Sequence, residues 1–377
     1  GWTLDAFDFF ILTFILGTVA KDFHRSIPEI ALTLTASLAM RPVGAAIFGL
    51  MADRYGRKGP LMISILFYSV IETLSGFAPN YTIFLLLRLL YGIGMGGEWG
   101  VGASLVMESV SVKRRGFLSG LLQEGYAFGF LLAAVVYYTV FPHFGWRAMF
   151  FIGGLPALLT LFIRSKVQET AAWKVARTTD WKAYRHAVAK HWKLFLYLVL
   201  LMAMMNLISH GTQDLYPTFL QQQRHYSPHK TAVITMISMV GAIFGGMIFG
   251  HISDLYGRKK MMVLAILLAI LLIPLWLHAG GIAVVMAGAF GMQFMVQGAW
   301  GIIPAHINEL SPGSLRGFFP GFAYQLGVLI ASSIGYVEAV LAQSVSYAVS
   351  MEILAGSVLV LGAVVILAGP EKKGIGF

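Results

Sequence analysis

The sequence predicts an all-α membrane protein, twelve transmembrane helices arranged as two pseudo-symmetric six-helix bundles. Three observations carry that expectation: an apolar composition, a succession of runs each long enough to cross a bilayer, and a repeat at one fixed offset. Of the 377 residues 58% are hydrophobic and 12% charged, with a mean hydropathy of +0.76, whereas about a quarter of the residues of soluble domains are charged. The 42 glycines suit a bundle in lipid, where small residues let helices approach closely with no hydrophobic effect to drive them together.

Apolar runs of about 20 residues, the length that spans a bilayer, cover 1–20, 30–51, 59–79, 82–107, 116–141, 146–164, 194–220, 231–251, 260–278, 281–308, 317–340 and 347–368. The first run has no basic flank and no signal-peptide pattern, so the chain is expected to begin part way along its first helix. Residues 165–193 are polar, with Trp173, Trp181 and Trp192 among lysines and arginines. They read as a cytoplasmic linker, partly amphipathic and lying at the membrane surface, a connector in preference to a partner-binding segment. The expected organisation is therefore a bundle over 1–164, a linker over 165–193 and a bundle over 194–377.

Basic residues set the orientation. Arg54, Arg57 and Lys58, then Lys113, Arg114 and Arg115, the linker, Arg258 to Lys260, Arg316 and the Lys372-Lys373 pair fall in alternate loops, which places those loops and both termini in the cytoplasm. A plasma membrane is expected, a bacterial inner membrane in particular. The net charge of +10 follows from this bias and argues for no nucleic-acid partner. The absence of cysteine excludes a disulfide framework and any thiolate site. With no metal cluster, nucleophile elbow or phosphate loop, neither an enzyme nor a cofactor other than protons is expected.

The repeat has an offset of 201 positions. Gly49-Leu-Met-Ala-Asp53-Arg-Tyr-Gly56-Arg57-Lys58 recurs as Gly250-His-Ile-Ser-Asp254-Leu-Tyr-Gly257-Arg258-Lys259, and the same offset pairs Trp99 with Trp300, Glu108 with Glu309 and Arg115-Gly116 with Arg316-Gly317. The decapeptide resembles the loop 2–3 signature of the major facilitator superfamily. That resemblance implies two bundles rocking about a midplane site, with this loop latching them in one state of the cycle. It assigns Asp53, Arg57, Lys58, Asp254, Arg258 and Lys259 to gating, together with the flanking Glu108, Arg115, Glu309 and Arg316. A channel would have no need of two such latches.

Ionisable residues inside a membrane are costly and mark function. In span seven, Asn206, His210, Gln213 and Asp214 fall within about 100° of one helical face, with Ser209 at its edge, and His210 and Asp214 stand at i and i+4, close enough to touch. Helix–helix glue is the plainer alternative. The pattern from Asn206 to Thr218 resembles the hallmark of the lactate and pyruvate permeases in the sialate:proton symporter branch, which implies substrate and proton handling by Asn206, His210 and Asp214. Arg41, mid-span in span two, offers a planar two-point grip to a carboxylate; the alternative is an ion pair with Asp5, Asp8 or Glu98, and both can hold in different states.

Asp5 and Asp8, three apart in span one, are opposite Asn206 and Ser209 by the repeat, so a cavity shared by spans one and seven is expected. With Glu98, whose surroundings resemble the span-four sequence of metabolite:proton symporters, they complete the proton-coupling candidates alongside His210 and Asp214. Gln123, Tyr126, Trp300 and Tyr324 join Arg41, Asn206, Ser209, His210 and Gln213 as substrate candidates. Glu124, Glu72, Arg88, Glu338 and Glu352 receive no role. The expectation is a monomeric, proton-coupled carrier for a small monocarboxylate such as lactate, with sialic acid, another organic acid or facilitated diffusion as alternatives.

Overall fold

Every regular element in the computed structural model, which describes residues 2–177 and 180–377, is helical. Gly1 and the linker residues 178–179 lie outside the described residues. Spans one to four are α1 (Trp2–Asp22), α2 (Ile27–Tyr55), α3 (Lys58–Gly76) and α4 (Tyr81–Ser109). Span five is α5 (Arg115–Gln123) and the first part of α6 (Gly125–Ile152), and α6 turns at Gly145, where φ is +73°, a conformation that glycine adopts without a Cβ clash. The remainder of α6 and α7 (Ala157–Lys166) form span six. Two short helices, α8 (Ala171–Ala176) and α9 (Trp181–Lys190), occupy the linker.

The second half repeats this order. Span seven is α10 (Trp192–Gln213) and α11 (Tyr216–Gln222); α12 (Pro228–Tyr256), α13 (Arg258–His278) and α14 (Ile282–Leu310) are spans eight to ten. Span eleven is split into α15 (Phe319–Ala331) and α16 (Ile334–Ala342), and α17 (Tyr347–Ala368) is span twelve. Among the described residues, nine helical stretches are long and apolar enough to cross a membrane by themselves; α4, the chain after Gly145, and the α15–α16 pair bring the count to the twelve expected. The break in span seven falls at Asp214 and Leu215, just ahead of Pro217, whose ring cannot continue the hydrogen-bond ladder.

Local sequence sets the helix starts. Ser26 and Ser227, related by the 201-residue offset, each accept a backbone N–H three residues on, and Ser26 completes a capping box with Glu29. The two halves also share their packing. A Cβ on Gly44 would strike the Ile93 carbonyl and one on Gly245 the Phe294 carbonyl, while Gly97 seats the Phe48 ring as Gly298 seats Phe249; each pair differs by 201. Leucines and valines such as Leu66, Leu86, Leu158, Leu271 and Val364 face outward, the surface a bilayer would cover.

Two seams join the halves: α2 packs against α15, and α5 against α12. They close by glycine contact, with Gly49 of α2 against Gly317 and Gly116 against Gly250, and α4 joins the first seam where Gly100 meets Gly321 of α15. Both seams run to the motif end, the end of the bundle that carries the repeated decapeptides.

Candidate functional site

Between the halves lies a cavity of about 350 Å³. All nine substrate candidates line it: Arg41 from α2, Gln123 and Tyr126 from span five, Asn206, Ser209, His210 and Gln213 from α10, Trp300 from α14 and Tyr324 from α15. Of the proton-coupling candidates, Asp5, His210 and Asp214 line it as well.

Two charged groups face each other across this space. On the first-half side, Arg41 Nη2 donates to Asp5 Oδ2 at 2.7 Å with both side chains buried, and Arg41 Nε and Asp5 Oδ1 have no hydrogen-bond partner among the described residues. The ion-pair alternative for Arg41 is thus realised, at the cavity wall, where the guanidinium keeps a free donor. On the second-half side, His210 Nδ1 lies 3.1 Å and 3.3 Å from the two Asp214 oxygens. Both side chains are partly open, at 37% and 47% exposure, so the cavity continues past them toward the end opposite the motifs.

Amide and aromatic groups fix the rest of the wall. Gln213 Nε2 donates to Gln293 Oε1 at 2.8 Å and to Ser209 Oγ at 3.2 Å, and Gln297 Nε2 donates to the same hydroxyl. Tyr324 stacks on Trp99 at 4.3 Å and meets Trp300 edge-on at 6.0 Å. Trp99 and Trp300, equivalent by the repeat, thereby hold a tyrosine between the halves. Trp99 and Trp2 also donate to Gln123, one to its side chain and one to its backbone. Sequence reasoning left out Trp2 and Trp99; the shared offset of Trp99 and Trp300 was the available signal.

Asp8 and Glu98 do not line this cavity, and for Asp8 that departs from the expected cavity shared by spans one and seven. Asp8 is fully buried beside Gly153 and Glu72, and neither of its oxygens has a hydrogen-bond partner among the described residues. Its neighbour Glu72 pairs with Arg88, which also donates to Ser75. Glu98 lines a separate, largely apolar pocket of about 460 Å³ with Trp2, Leu61 and Leu122. Helical periodicity puts Asp5 and Asp8 within about 60° of each other, and the cavity edge falls between them.

At the motif end the two Asp residues act as caps across the seams. Asp53 of the first half accepts the N–H groups of Gly317 (2.6 Å) and Phe318 (3.1 Å) at the start of α15. Asp254 of the second half accepts those of Gly116 and Phe117 at the start of α5. Each carboxylate thus meets the positive end of a helix in the opposite half. Each also holds the arginine four residues on, Arg57 at 2.6 Å and Arg258 at 2.7 Å. Arg57 reaches Glu108 and Arg258 reaches Glu309 within their own halves, while Arg316 to Glu108 and Arg115 to Glu309 cross between halves. Burial alone would lower the Arg57 pKa, but Asp53 and Glu108 more than offset it and hold it above the usual guanidinium value.

The two lysines of the gating set are placed differently. Lys259 Nζ donates to the Leu367 and Gly369 carbonyls at the end of α17, within its own half. The backbone N–H of Lys58 goes to Glu169. Glu169 and Glu371 were not singled out from the sequence. They follow the last span of each half and accept from the backbone at Arg57, Lys58 and Lys259, beside Gly56 and Gly257, which sit at φ near +107° and +110°.

The linker does more than lie at a surface. Trp173 donates to the Asp53 carbonyl at 2.8 Å and the Tyr184 hydroxyl donates to Asp53 Oδ2 at 2.9 Å. Both rings are buried, and burial together with the Asp53 charge pushes the Tyr184 phenol far above its ordinary pKa. Trp181 stays half-exposed under Arg54, 4.7 Å from its guanidinium.

The Major Facilitator Superfamily family model matches residues 3–335 and again 211–375. The chain belongs to that superfamily. It is a multi-pass membrane transporter and not an enzyme. Among its relatives, a carboxylic acid transporter protein homolog of Saccharomyces cerevisiae is 31% identical, covering 99% of this chain and 67% of the yeast protein. The sialic acid transporter NanX of Escherichia coli is 30% identical over 87% of this chain and 81% of its own length. The solved structure of the proton:xylose symporter XylE superimposes with a TM-score of 0.79 at 18% identity, covering 99% of this chain and 94% of that one. The last of these speaks for the fold alone.

Proposed function

We propose that the protein is a proton-coupled symporter of a small monocarboxylate of the lactate or pyruvate type, working by alternating access. The observation that carries this reading is the Arg41–Asp5 pair in the cavity wall. A carboxylate entering the cavity competes with Asp5 for the guanidinium, and a proton taken by the displaced Asp5 leaves the total charge of the site unchanged. Binding an anion without that proton would leave an unpaired charge in a low-dielectric space. The His210–Asp214 pair, at the open side, is placed to pass the proton or to orient the substrate's second polar group. The cavity volume of about 350 Å³ is at the low end for small-molecule sites, which favours an acid of few heavy atoms. Relatives named as transporters of carboxylic acids, sialic acid and niacin point the same way on the carboxylate and leave a larger organic acid as the second reading.

In this proposal the motif end faces the cytoplasm, following the basic loops, so the cytoplasmic side is closed and the cavity faces outward. Residues 1–164 and 194–377 are the two rocking bundles, joined by 165–193, in a monomer of the plasma membrane. The test is uptake of labelled lactate by proteoliposomes with and without an inward proton gradient, competed by acetate, pyruvate and sialic acid. Gradient-driven accumulation blocked by pyruvate and not by sialic acid is expected. Accumulation indifferent to the gradient would remove the coupling, and competition by sialic acid alone would replace the substrate.

A further inference from the structure

Glu124 was left without a role by the sequence, and nothing in the substrate site explains it. It lies at the junction of α5 and α6, is 2% exposed, and its Oε1 has no hydrogen-bond partner among the described residues. Its carboxyl presses on the backbone of Gly246 in α12, on the other half: a Cβ at Gly246 would meet the Glu124 carboxyl at once. Gly116, Gly120 and Glu124 are spaced by four and form one helical face, against Gly250 and Gly246. The carboxyl therefore lies where the cavity ends and the closed α5/α12 seam begins.

The repeat supplies the comparison. The equivalents of Gly116, Gly120 and Glu124 are Gly317, Gly321 and Gln325, on a face of span eleven whose glycines meet α2 at Ala52 and α4 at Gly100 in the first half. Gln325 is also buried, with neither end of its amide partnered among the described residues. One seam thus holds an amide and the other a carboxyl of the same size, in matching positions. A protonated carboxyl is, like the amide, neutral and able to donate and accept, whereas an ionised one buried without a partner is expensive.

The surrounding charges do not change that. The cavity holds Asp5, Arg41, Tyr126, His210, Asp214 and Tyr324. The packed helices bring Asp8 on α1, Glu98 on α4, Arg115 on α5, His251 and Asp254 on α12, and His306 and Glu309 on α14. The cationic side chains in this set have other partners: Arg41 holds Asp5, and Arg115 holds Glu309.

We propose that Glu124 is a proton-carrying gate of the α5/α12 seam, protonated while the motif end is closed and ionised once the seam parts. This rests on the alternating-access reading above and not on the identity of the substrate. When α5 leaves α12, water reaches the carboxyl, its O–H bond breaks, and the proton leaves to solvent on the motif side. Closing requires the proton back. By linkage, raising the pH favours the open motif end.

The chain has no cysteine, so Lys113→Cys and Lys260→Cys, both exposed at the motif end on opposite halves, can carry spin labels in the full chain in nanodiscs. The inter-label distance is measured across pH with no substrate present. The parent is expected to lengthen as pH rises. Glu124→Gln, copying Gln325, is expected to stay short, its midpoint raised by at least about one pH unit, a tenfold change in proton affinity. Glu124→Asp should keep a pH-dependent opening, and Gln325→Glu, adding a second titrating seam, should lower the pH of opening. A parent distance insensitive to pH overturns the proposal, as does an identical midpoint in parent and Glu124→Gln. Should Glu124→Gln not fold, an unchanged midpoint in Gln325→Glu overturns it. Failure of lactate uptake leaves this readout intact, so the two readings fail separately.

Discussion

Replacing Asp53 by Asn tests whether the caps at the motif end hold the halves together. In the closed arrangement Asp53 Oδ1 accepts from Gly317 N–H and Arg57, and Oδ2 accepts from Phe318 N–H and Tyr184. An asparagine keeps one acceptor and points an NH₂ group at two of these donors. Loss of the charge at the start of α15 costs about 0.3–1 kcal/mol, more where buried, and loss of charge-assisted bonds with a donor facing donors about 1.5–3 kcal/mol. Arg57 retains Glu108, so no buried cation is orphaned and the cost does not rise further. The closed state should lose about 2–4 kcal/mol against the open one, roughly a 30- to 1,000-fold shift in their ratio. Ser104, which bridges to the Arg316 carbonyl at the seam, is fully buried; as Ser104→Cys it reports opening through its rate of thiol modification. Asp53→Asn should raise that rate by the same factor. An unchanged rate in a folded variant would show that the cap does not bias closure.

Three further outcomes follow from the same geometry. Arg41→Lys should abolish most lactate uptake although the charge is kept, since an ammonium cannot hold Asp5 and offer a second planar donor to the substrate; uptake with unchanged half-saturation would take Arg41 out of the site. Asp214→Asn should retain counterflow while losing gradient-driven accumulation, because the His210–Asp214 pair no longer passes the proton to Asp5, and a variant that still concentrates lactate would show that the proton reaches Asp5 without Asp214. Gly100→Ala puts a methyl 2.4 Å from the Gly321 Cα, with backbone on both sides and nothing free to move. It should hold the motif end open and raise Ser104→Cys reactivity, and closure indistinguishable from the parent would contradict the close approach of α4 and α15.

The sequence made the fold legible because lipid simplifies the code: long apolar runs, alternate basic loops and a strict 201-residue register leave few arrangements. The cavity was legible for a related reason. Polar side chains deep in apolar helices are costly, so Arg41, Asn206, His210 and Tyr324 stand out, and all of them line one space. Periodicity gives a face and not a neighbour, which is why Asp5 and Asp8 were grouped although Asp8 faces Glu72. The caps provided by Glu169 and Glu371 and the seal formed by Tyr324 on Trp99 depend on contacts between distant segments, and such contacts leave no local pattern. Glu124 was passed over for the same reason: its meaning comes from Gly246, 122 positions away.

The linker is a tether whose own side chains are part of what it tethers. Tyr184 lies after the linker's midpoint, close to the second bundle in sequence, yet its hydroxyl rests on Asp53 of the first. The covalent connection through 165–193 keeps that phenol at high effective concentration near its acceptor, a benefit the Asp254 cap does not share from α9. Two fragments divided just ahead of Asp180 would separate Trp173 from Tyr184 and turn an intramolecular contact into one that depends on how tightly the fragments associate. The two chemically matched caps therefore differ in their entropy of closure, and the symmetry of the repeat is broken by connectivity where its residues are alike.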